Sequence, residues 1–244
     1  KRLFPSLFEG RTVKPIDDYP SHLLRTLQDL APWSDAPRVV ILTPGVFNSA
    51  YFEHSYLAQQ MGIPLVEGRD LICEDGSVWM RSTNGRTRVD VIYRRIDDDF
   101  LDPTVFRSDS ILGVSGLIEV LRQGRVAIAN APGTGVADDK LIYAHVPAMI
   151  RYYLDEEPII ENVQTYLCSR SKDRRFVLEN LENLVVKSVA EAGGSGMLIG
   201  PQASRSELAD FDSRIRANPR NFIAQPTLQL STVPSLSEGE LYPC

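Results

Sequence analysis

The order of elements between residues 38 and 67 constrains the fold most. A continuous apolar run, Val39–Leu42, ends in Pro44-Gly45, and the segment SAYFEHSYLAQQM that follows has the composition of a helix closed by Gly62. The segment IPLVEG then provides a second short strand. Strand, turn, helix and strand within about 30 residues are typical of a βαβ unit with parallel strands. The sequence therefore predicts an α/β sheet in this part of the chain.

The flanking segments extend this prediction. Residues 1–37 are punctuated by proline, and the leucines of SHLLRTLQDLAP recur at helical spacing, with Ser21 as the expected N-cap. Asn84 and Gly85 lie between two β-rich arms, which indicates a hairpin. The second arm alternates through residues 89–94, so we expect one strand with two different faces there.

The following segments complete this α/β part. A helix-like GLIEVLRQG precedes a strand at residues 126–129, and a helix interrupted before Pro147 comes next. We expect residues 38–155 to form a compact α/β layer with an inserted hairpin.

The residue pattern of the sequence changes after Glu156. Strands are expected at residues 184–189 and 197–200, and Ser204 with Glu207 forms an S-x-x-E capping box that opens a helix. Hairpin, helix and strand in this order predict an α+β region. We place a domain boundary near residue 155, which gives an α/β domain at 1–155, with 1–37 as its helical lead-in, and a second domain at 156–244.

Composition narrows the class of protein. The 244 residues carry a net charge of −6, which argues against a nucleic-acid surface, since such surfaces need clustered Lys and Arg. No apolar run approaches the roughly 18 residues of a membrane span, so no membrane association is expected. The three cysteines are widely spaced and form no CxxC pair, as is typical of free thiols in a reducing compartment. A cytoplasmic protein is therefore expected.

The segment LVVKSVAEAGGSGMLIGP is the first candidate site. Lys187 lies in an apolar strand, and burying its ammonium is costly unless an anion meets it. Gly193, Gly194 and Gly196 allow backbone N–H groups to turn towards a phosphate, and Ser195 adds a hydroxyl donor. A nucleotide site fits this pattern. A mobile hairpin on an edge strand, with Lys187 in water, fits it as well.

The segment NAPGTGVADDK is the second candidate. It follows a strand and opens a helix, where N–H groups favour anions, yet it lacks the Walker A and dinucleotide spacings. Lys140 lies in the first turn or two of this helix. The alternative is an acidic pair, Asp138 and Asp139, that complements the helix dipole while Lys140 is solvated.

Two further segments belong to the α/β part. In YRRIDDDFLDP, Arg94 and Arg95 end a strand and are followed by Asp97, Asp98, Asp99 and Asp102. An arginine here is suited to clamping a carboxylate, and the acidic groups are suited to gripping an amine. A solvated turn with local ion pairs is the alternative.

Residues 43–54 occupy the strand-to-helix turn of the βαβ unit, where open α/β sheets bind ligands. Asn48, Ser49, Tyr51 and Glu53 are therefore substrate candidates. An ordinary turn with a capping Asn or Ser explains them equally well.

Gln225 is the last candidate, because its amide is suited to reading a purine edge. Pro226 follows it and cannot donate to a ladder, so this strand is expected at an edge or paired on one side only. Taken alone, Gln225 favours a structural role.

Taken together, these segments resemble the circularly permuted ATP-grasp proteins, relatives of glutathionylspermidine synthetase, over nearly the whole chain. The matching segments are VVILTPGVFNSAYFEHSYLAQQMG, VDVIYRRIDDDFLDP, NAPGTGVADDK, LVVKSVAEAGGSGMLIGP and FIAQPTLQLS. The resemblance implies an ATP-dependent carboxylate–amine ligase that activates its carboxylate as an acyl phosphate. It implies a pre-ATP-grasp α/β domain, which helps to hold the acceptor substrate, followed by an incomplete ATP-grasp subdomain.

The resemblance also assigns roles to residues. Lys187 matches the strand lysine on the nucleotide phosphates, residues 193–196 match the flap, Lys140 matches a helix lysine that reaches ATP, and Gln225 matches the adenine-hinge region. No Mg²⁺ ligands can be assigned, because the metal-binding segments of such proteins lie outside this sequence. The resemblance thus implies the middle of a protein about twice as long, with little ligase activity in this part alone.

The leading hypothesis is accordingly an ATP- and Mg²⁺-dependent ligase acting on a peptide-like or small carboxylate. A non-catalytic nucleotide-binding or scaffold protein of the same fold, or a phosphotransferase, is the alternative. The partners expected are ATP and small molecules, and the sequence predicts no oligomeric state.

Overall fold

The computed structural model describes residues 6, 10, 14–189, 196–229, 231–237 and 239–243. The chain divides into two compact units, residues 1–134 and 135–244. Residues 135–155 therefore group with the second unit, 20 residues before the boundary expected near 155. The assignment of residues 1–155 and 156–244 to two functional domains stays a prediction.

The first unit is built on two sheets with helices. Its elements are α1 (Tyr19–Gln28), β1 (Val39–Leu42), α2 (Tyr51–Met61), β2 (Leu65–Val66), β3 (Leu71–Glu74), β4 (Ser77–Ser82), β5 (Gly85–Val89), β6 (Val91–Arg94), α3 (Asp98–Leu101), α4 (Leu117–Arg122) and β7 (Ala127–Ala129).

A parallel sheet with the strand order β2-β1-β6-β7 forms the centre of this unit. All four residues of β1 are buried because both faces are covered. Val39 and Ile41 pack on one side with Leu57 of α2, whereas Val40 and Leu42 pack on the other side. Gly62 ends α2 in the left-handed conformation (φ +67°), and β2 then pairs in parallel with β1. The predicted βαβ unit is confirmed.

The predicted hairpin is also confirmed, but its second arm is not one strand. Antiparallel β3, β4 and β5 form a separate three-stranded sheet, in which Ser82 pairs with Gly85. The chain leaves this sheet at Asp90, whose N–H donates to the carbonyl of Arg38 and whose carboxylate accepts from the Arg38 N–H. Residues 91–94 then form β6, an interior strand that is buried on both faces, so the expected alternation is wrong there.

The start of α1 is a second correction. The helix begins at Tyr19 after Asp18, so Ser21 lies inside it and is not its N-cap. Pro20 explains the earlier start, because its fixed φ suits the first turn of a helix, where its missing N–H has no partner to lose.

The second unit contains short helices and an antiparallel sheet. Its elements are α5 (Lys140–Tyr143), α6 (Val146–Leu154), β8 (Tyr166–Leu167), α7 (Ser171–Glu179), β9 (Leu184–Ser188), β10 (Met197–Ile199), α8 (Arg205–Ala217), β11 (Phe222–Pro226), β12 (Pro234–Ser237) and β13 (Glu240–Pro243). The predicted interruption before Pro147 is confirmed, since this proline lies in the first turn of α6.

The order of the main sheet in this unit is β10-β9-β11-β8. One face packs against α7 and α8 through a cluster that includes Val177, Val186 and Ile215. The predicted capping box opens α8: the Ser204 N–H donates to Glu207 Oε2 at 2.8 Å, and the Glu207 N–H donates to Ser204 Oγ at 3.3 Å.

The sheet position of β9 and β11 corrects two expectations. β9 lies between β10 and β11, and β11 lies between β9 and β8, so neither strand is at an edge. Pro226 is tolerated because it is the last residue of β11 and pairs only with Leu184 of β9, whereas β8 pairs only with Ile223 and Ala224. The one-sided pairing holds at Pro226, while the edge position is wrong.

None of the helices in the described part of the chain is both long and apolar enough to span a membrane.

Candidate functional site

Lys187 and Gln225 lie side by side on one face of the antiparallel sheet. In the register of β9 and β11, Lys187 pairs with Ile223 and Gln225 pairs with Val185, so the two side chains are diagonal neighbours. The Lys187 ammonium (Nζ) donates a hydrogen bond of 2.8 Å to Gln225 Oε1. The structure therefore brings together two residues that sequence reasoning identified separately.

Thr165 fixes the orientation of the Gln225 amide. Gln225 Nε2 donates to Thr165 Oγ1 at 3.0 Å, and that hydroxyl donates to the carbonyl of Val163 at 2.9 Å. Gln225 is only 9% exposed, so its amide is held by these contacts rather than by water. Sequence reasoning missed Thr165, because nothing in the local pattern sets this threonine apart from others.

Lys140 reaches the same strand from α5. Asp139 caps this helix by accepting from the Leu141 N–H at 2.7 Å, and the Lys140 ammonium donates to the carbonyl of Val189 at 3.4 Å. Val189 follows β9 two residues after Lys187 and therefore lies on the same face. Lys140 is half-buried, and its predicted contact with ATP stays a prediction, whereas the acidic residue at the helix start caps the helix as expected.

The glycine loop is only partly described. Gly193, Gly194 and Ser195 lie outside the described residues, so their predicted role as a phosphate flap stays a prediction. Gly196 adopts a left-handed conformation (φ +63°) directly before β10, and its carbonyl accepts from the Ser188 N–H at 3.2 Å. β9 and β10 are consecutive strands and pair antiparallel, so they form a hairpin.

This cluster, which consists of Lys140, Thr165, Lys187 and Gln225, offers two ammonium groups and one oriented amide. Such a set suits a ligand with an anionic part and a hydrogen-bonding edge. Within the residues that the structure describes, no three His, Cys, Asp or Glu side chains lie together so as to hold a metal ion.

The carboxyl edge of the parallel sheet in the first unit is a second candidate site. In the order β2-β1-β6-β7, the chain passes from β1 to β2 towards one edge of the sheet and from β6 to β7 towards the other edge. The strand order therefore reverses between β1 and β6, and ligands of open α/β sheets bind in the crevice at the carboxyl ends of such strands. Residues 43–54 follow β1 and Arg95 follows β6, so both predicted substrate segments lie at this switch point, and we call this part of the sheet edge the switch-point crevice.

Arg95 and Glu53 form an ion pair at the switch-point crevice. Arg95 Nη2 is 2.5 Å from Glu53 Oε1, and Arg95 Nη1 donates to the Tyr93 hydroxyl at 3.3 Å. The guanidinium also lies 5.7 Å from the centre of the Tyr93 ring. The Arg95 side chain is 24% exposed and that of Glu53 is 53% exposed, so water reaches both charges.

His54 forms the buried floor beside this ion pair. Its Nδ1 is 2.9 Å from Thr43 Oγ1, which accepts from the Gly45 N–H at 3.3 Å. Thr43 Oγ1 can accept from Gly45 and still either donate to His54 Nδ1 or accept from it, and the tautomer of His54 decides which. Burial lowers the pKa of His54, and the positive charge of Arg95 lowers it further, although Glu53 acts in the opposite direction. Sequence reasoning did not select His54; its place one residue after Glu53 is the only signal.

Arg94 is not available as a carboxylate clamp. Its guanidinium is 7% exposed and donates to the carbonyls of Asn130, Ile96 and Ala131 at 2.6, 2.7 and 3.2 Å. It also lies 2.7 Å from Asp98 Oδ1. Arg94 therefore binds the end of β6 to the segment after β7, and the clamp predicted for it is corrected to a structural role.

Asp102 is likewise a structural group rather than an amine ligand. It is fully buried and accepts hydrogen bonds from the N–H groups of Ile118, Gly116 and Thr104 and from the Thr104 hydroxyl. Burial alone raises the pKa of this carboxyl, but the hydrogen bonds outweigh it, and the pKa falls below its usual value. The alternative of a solvated turn is wrong for Arg94 and Asp102.

Asn48, Ser49 and Tyr51 lie where α2 begins. Asn48 Oδ1 accepts from the Ala50 N–H at 2.9 Å, as in an ordinary Asx-turn, whereas Ala50, the N-cap of α2, has no side-chain cap. Asn48 and Ser49 are exposed and Tyr51 is half-buried. Their predicted contact with substrate stays a prediction.

The chain matches one known family over its full length. The sequence pattern of the circularly permuted ATP-grasp type 2 family matches residues 1–244. An uncharacterized protein of Synechocystis sp. is 65% identical over 237 residues, which are 97% of this chain and 49% of that protein. A protein of Frankia casuarinae, provisionally named glutamate–cysteine ligase 2-2, is 43% identical over 99% of this chain and 28% of its own length.

A solved structure shares the fold. The glutathione synthetase-like effector of Globodera pallida, in its apo form, superposes with a TM-score of 0.52 at 12% identity and covers 89% of this chain and 47% of that protein. The chain thus spans half the length, or less, of the curated relatives that it matches. The parallel sheet, the antiparallel sheet and the full-length match agree: the chain belongs to the circularly permuted ATP-grasp type 2 family.

Proposed function

We propose that this protein is part of an ATP-dependent ligase that joins a carboxylate to an amine. The observation that carries the proposal is the cluster of Lys140, Thr165, Lys187 and Gln225 on one sheet face. Lys187 presents its ammonium beside an oriented amide, and Lys140 adds an ammonium at the carbonyl of Val189, just after the same strand; a triphosphate is an anion that such positive charges bind. Family membership and the ligase name of the Frankia relative support the same class.

In the proposal each residue has a distinct part. Lys187 exchanges Gln225 Oε1 for a phosphate oxygen, and Lys140 adds a second positive charge from the start of α5. Gln225, which Thr165 holds in place, then has its carbonyl oxygen available for a donor on the purine edge. The loop at residues 193–196 closes over the phosphates.

The reaction that follows conserves atoms in two steps. A substrate carboxylate oxygen attacks the γ-phosphorus and releases ADP, which leaves an acyl phosphate. The neutral amine nitrogen then attacks the acyl carbon, releases inorganic phosphate and gives up one proton to water as the amide forms. Mg²⁺ would neutralise the phosphates when bound, but no donor set among the described residues fits it, so we derive no step through the ion. We expect its ligands in the remainder of the longer protein.

Nucleotide binding to the full-length protein tests the site. We expect Lys187→Met to raise the Kd for ATP at least 10-fold, about 1.4 kcal/mol or more, because a charge-assisted contact to phosphate is lost. Lys172→Met is the matched control, since Lys172 is an exposed lysine on α7 of the same unit. Isothermal titration calorimetry gives both values, and an unchanged affinity in Lys187→Met removes this lysine from the site.

Product analysis separates the three functions. A ligase releases inorganic phosphate only when both a carboxylic acid and an amine are present. A phosphotransferase yields a phosphorylated product without an amine, and a scaffold protein binds ATP without turnover. Pools of amino acids, peptides and polyamines provide the substrates for this screen.

A further inference from the structure

The switch-point crevice contains a water-accessible pair of opposite charges that does no evident structural work. Arg95 directly follows β6, with its N–H on the carbonyl of Leu42 at 2.9 Å, and Glu53 lies in the first turn of α2, so the backbone of each charge is held in place. Arg94, one residue earlier, is buried and donates to three carbonyls. The contrast indicates that the fold needs Arg94, whereas the Arg95 side chain remains accessible to water beside Glu53.

Neighbouring groups hold the geometry of this pair. The Tyr93 hydroxyl and ring orient the Arg95 guanidinium, and the lowered pKa of His54 keeps the buried floor uncharged near neutral pH. Gly45 adopts φ +100°, and a side chain there would meet the Glu67 carboxylate at 3.3 Å, so the backbone after β1 runs close to a second acidic group. Glu67 is itself paired with Arg69 at 3.1 Å, so the groups that the crevice offers are the Arg95–Glu53 pair and a neutral imidazole.

We propose that the switch-point crevice binds the head group of an α-amino acid, with the ligand carboxylate on Arg95 and its ammonium on Glu53. This inference rests on the proposed function, for which the amino acid is the carboxylate or the amine substrate. Arg95 Nη2 and Glu53 Oε1 are in contact, so a ligand whose opposite charges lie on neighbouring groups needs the smallest opening of the pair. An α-amino acid has one carbon between them, whereas a peptide with distant termini or an ω-amino acid does not.

The energetics favour such an exchange. An exposed ion pair contributes only about 0–1 kcal/mol, so opening it costs little. The ligand replaces one ion pair with two, and a carboxylate can accept from two N–H groups of the guanidinium. The crevice is therefore a low-cost site for a zwitterion and a poor one for a ligand with a single charge.

The experiment measures thermal stabilisation of the nucleotide-free, full-length protein by each of the twenty standard L-α-amino acids. We expect at least one of them to raise the melting temperature, because a ligand that binds only the folded state stabilises it. For that amino acid, the carboxamide and the deaminated acid should each bind at least 10-fold more weakly in calorimetry. Arg95→Gln should abolish the preference for the acid over its carboxamide, and Glu53→Gln the preference for the amine over the deaminated acid.

Two control variants carry the same chemical changes elsewhere in the unit. Arg107→Gln removes an exposed arginine paired with Asp109, and Glu119→Gln removes an exposed glutamate of α4. Both should bind the amino acid as the wild type does. The inference is overturned if none of the twenty amino acids stabilises the wild type, or if binding survives in both Arg95→Gln and Glu53→Gln.

ATP affinity, measured on the same samples, separates this inference from the proposed function. If the wild type binds ATP normally but binds no amino acid, the amino-acid site in the switch-point crevice is refuted and the nucleotide site is not. If Lys187→Met binds ATP as tightly as the wild type does, the proposed nucleotide site is refuted instead.

Discussion

The adjacent arginines Arg94 and Arg95 give the sharpest test of the structural argument. The same substitution, Arg→Met, should have opposite consequences at the two positions. Arg94→Met should destabilise the first unit strongly and leave the residues of the switch-point crevice unchanged. Arg95→Met should leave stability nearly unchanged, because its ion pair with Glu53 is exposed to water.

The magnitudes follow from the contacts. Arg94→Met removes three donors from the carbonyls of Asn130, Ile96 and Ala131 and removes the countercharge of Asp98. Breaking a buried pair by removing one partner costs about 3–5 kcal/mol. Asp98 also accepts from the Gly133 N–H at 2.9 Å, so it stays in place as an unpaired charge. We expect a loss of about 3–5 kcal/mol for Arg94→Met and less than about 1 kcal/mol for Arg95→Met.

Urea unfolding followed by tryptophan fluorescence is the suitable assay. The chain has two tryptophans, Trp33 and Trp79, and both belong to the first unit, so the signal reports this unit alone within the chain. With a slope of about 2 kcal/mol per molar urea, Arg94→Met should lower the midpoint by about 1.5–2.5 M. Arg95→Met should lower it by less than about 0.5 M. In a longer protein with further tryptophans, the measurement is made on the isolated 244 residues, provided that they unfold cooperatively.

Equal midpoints for the two variants would refute the reasoning. A loss below about 1 kcal/mol in Arg94→Met would show that its contacts are replaced by water, and that burial does not distinguish the two arginines. An unchanged slope is required in both cases, because a changed slope signals a change in the unfolded or folded state rather than in the contacts.

Three further predictions concern single groups. The pKa of His54 is lowered from 6.5, chiefly by burial, so the stability that depends on its neutral imidazole is fully present above this value and is lost as the pH falls below it. His54→Gln should remove this pH dependence of the free energy of unfolding, at most about 1.4 kcal/mol per pH unit, in urea titrations between pH 5 and 8. Asp102→Ala leaves four donors without this acceptor and should lower the free energy of unfolding by about 3 kcal/mol or more at pH 7. Because the pKa of Asp102 is lowered, the difference in unfolding free energy from the wild type should shrink as the pH falls through the usual carboxyl range. Ser204→Ala removes the N-cap of α8 and should cost about 1 kcal/mol, measured by circular dichroism against Ser213→Ala as an exposed control on the same helix.

Much of the fold was predictable because its signals are local. Val39–Leu42, the helix that Gly62 closes and the capping box of Ser204 are each specified by neighbouring residues. The predictions failed where the partner of a segment decides its structure. The arm through Asp90 reads as one alternating strand, yet it divides between two sheets, and only the pairing of β6 with β1 and β7 buries both of its faces.

The same distinction between local signals and tertiary pairing applies to the candidate sites. The sequence by itself determined which residue types are available: lysine in an apolar strand, a glutamine before a proline, two adjacent arginines and an acidic run. It could not determine which of them meet, because Lys187 and Gln225 are 38 residues apart, and Glu53 and Arg95 are 42 residues apart. Strand order and register set these distances. Only the tertiary structure decided that Arg94 is buried in the fold while Arg95 faces the crevice, since successive residues at the end of a strand point to opposite sides.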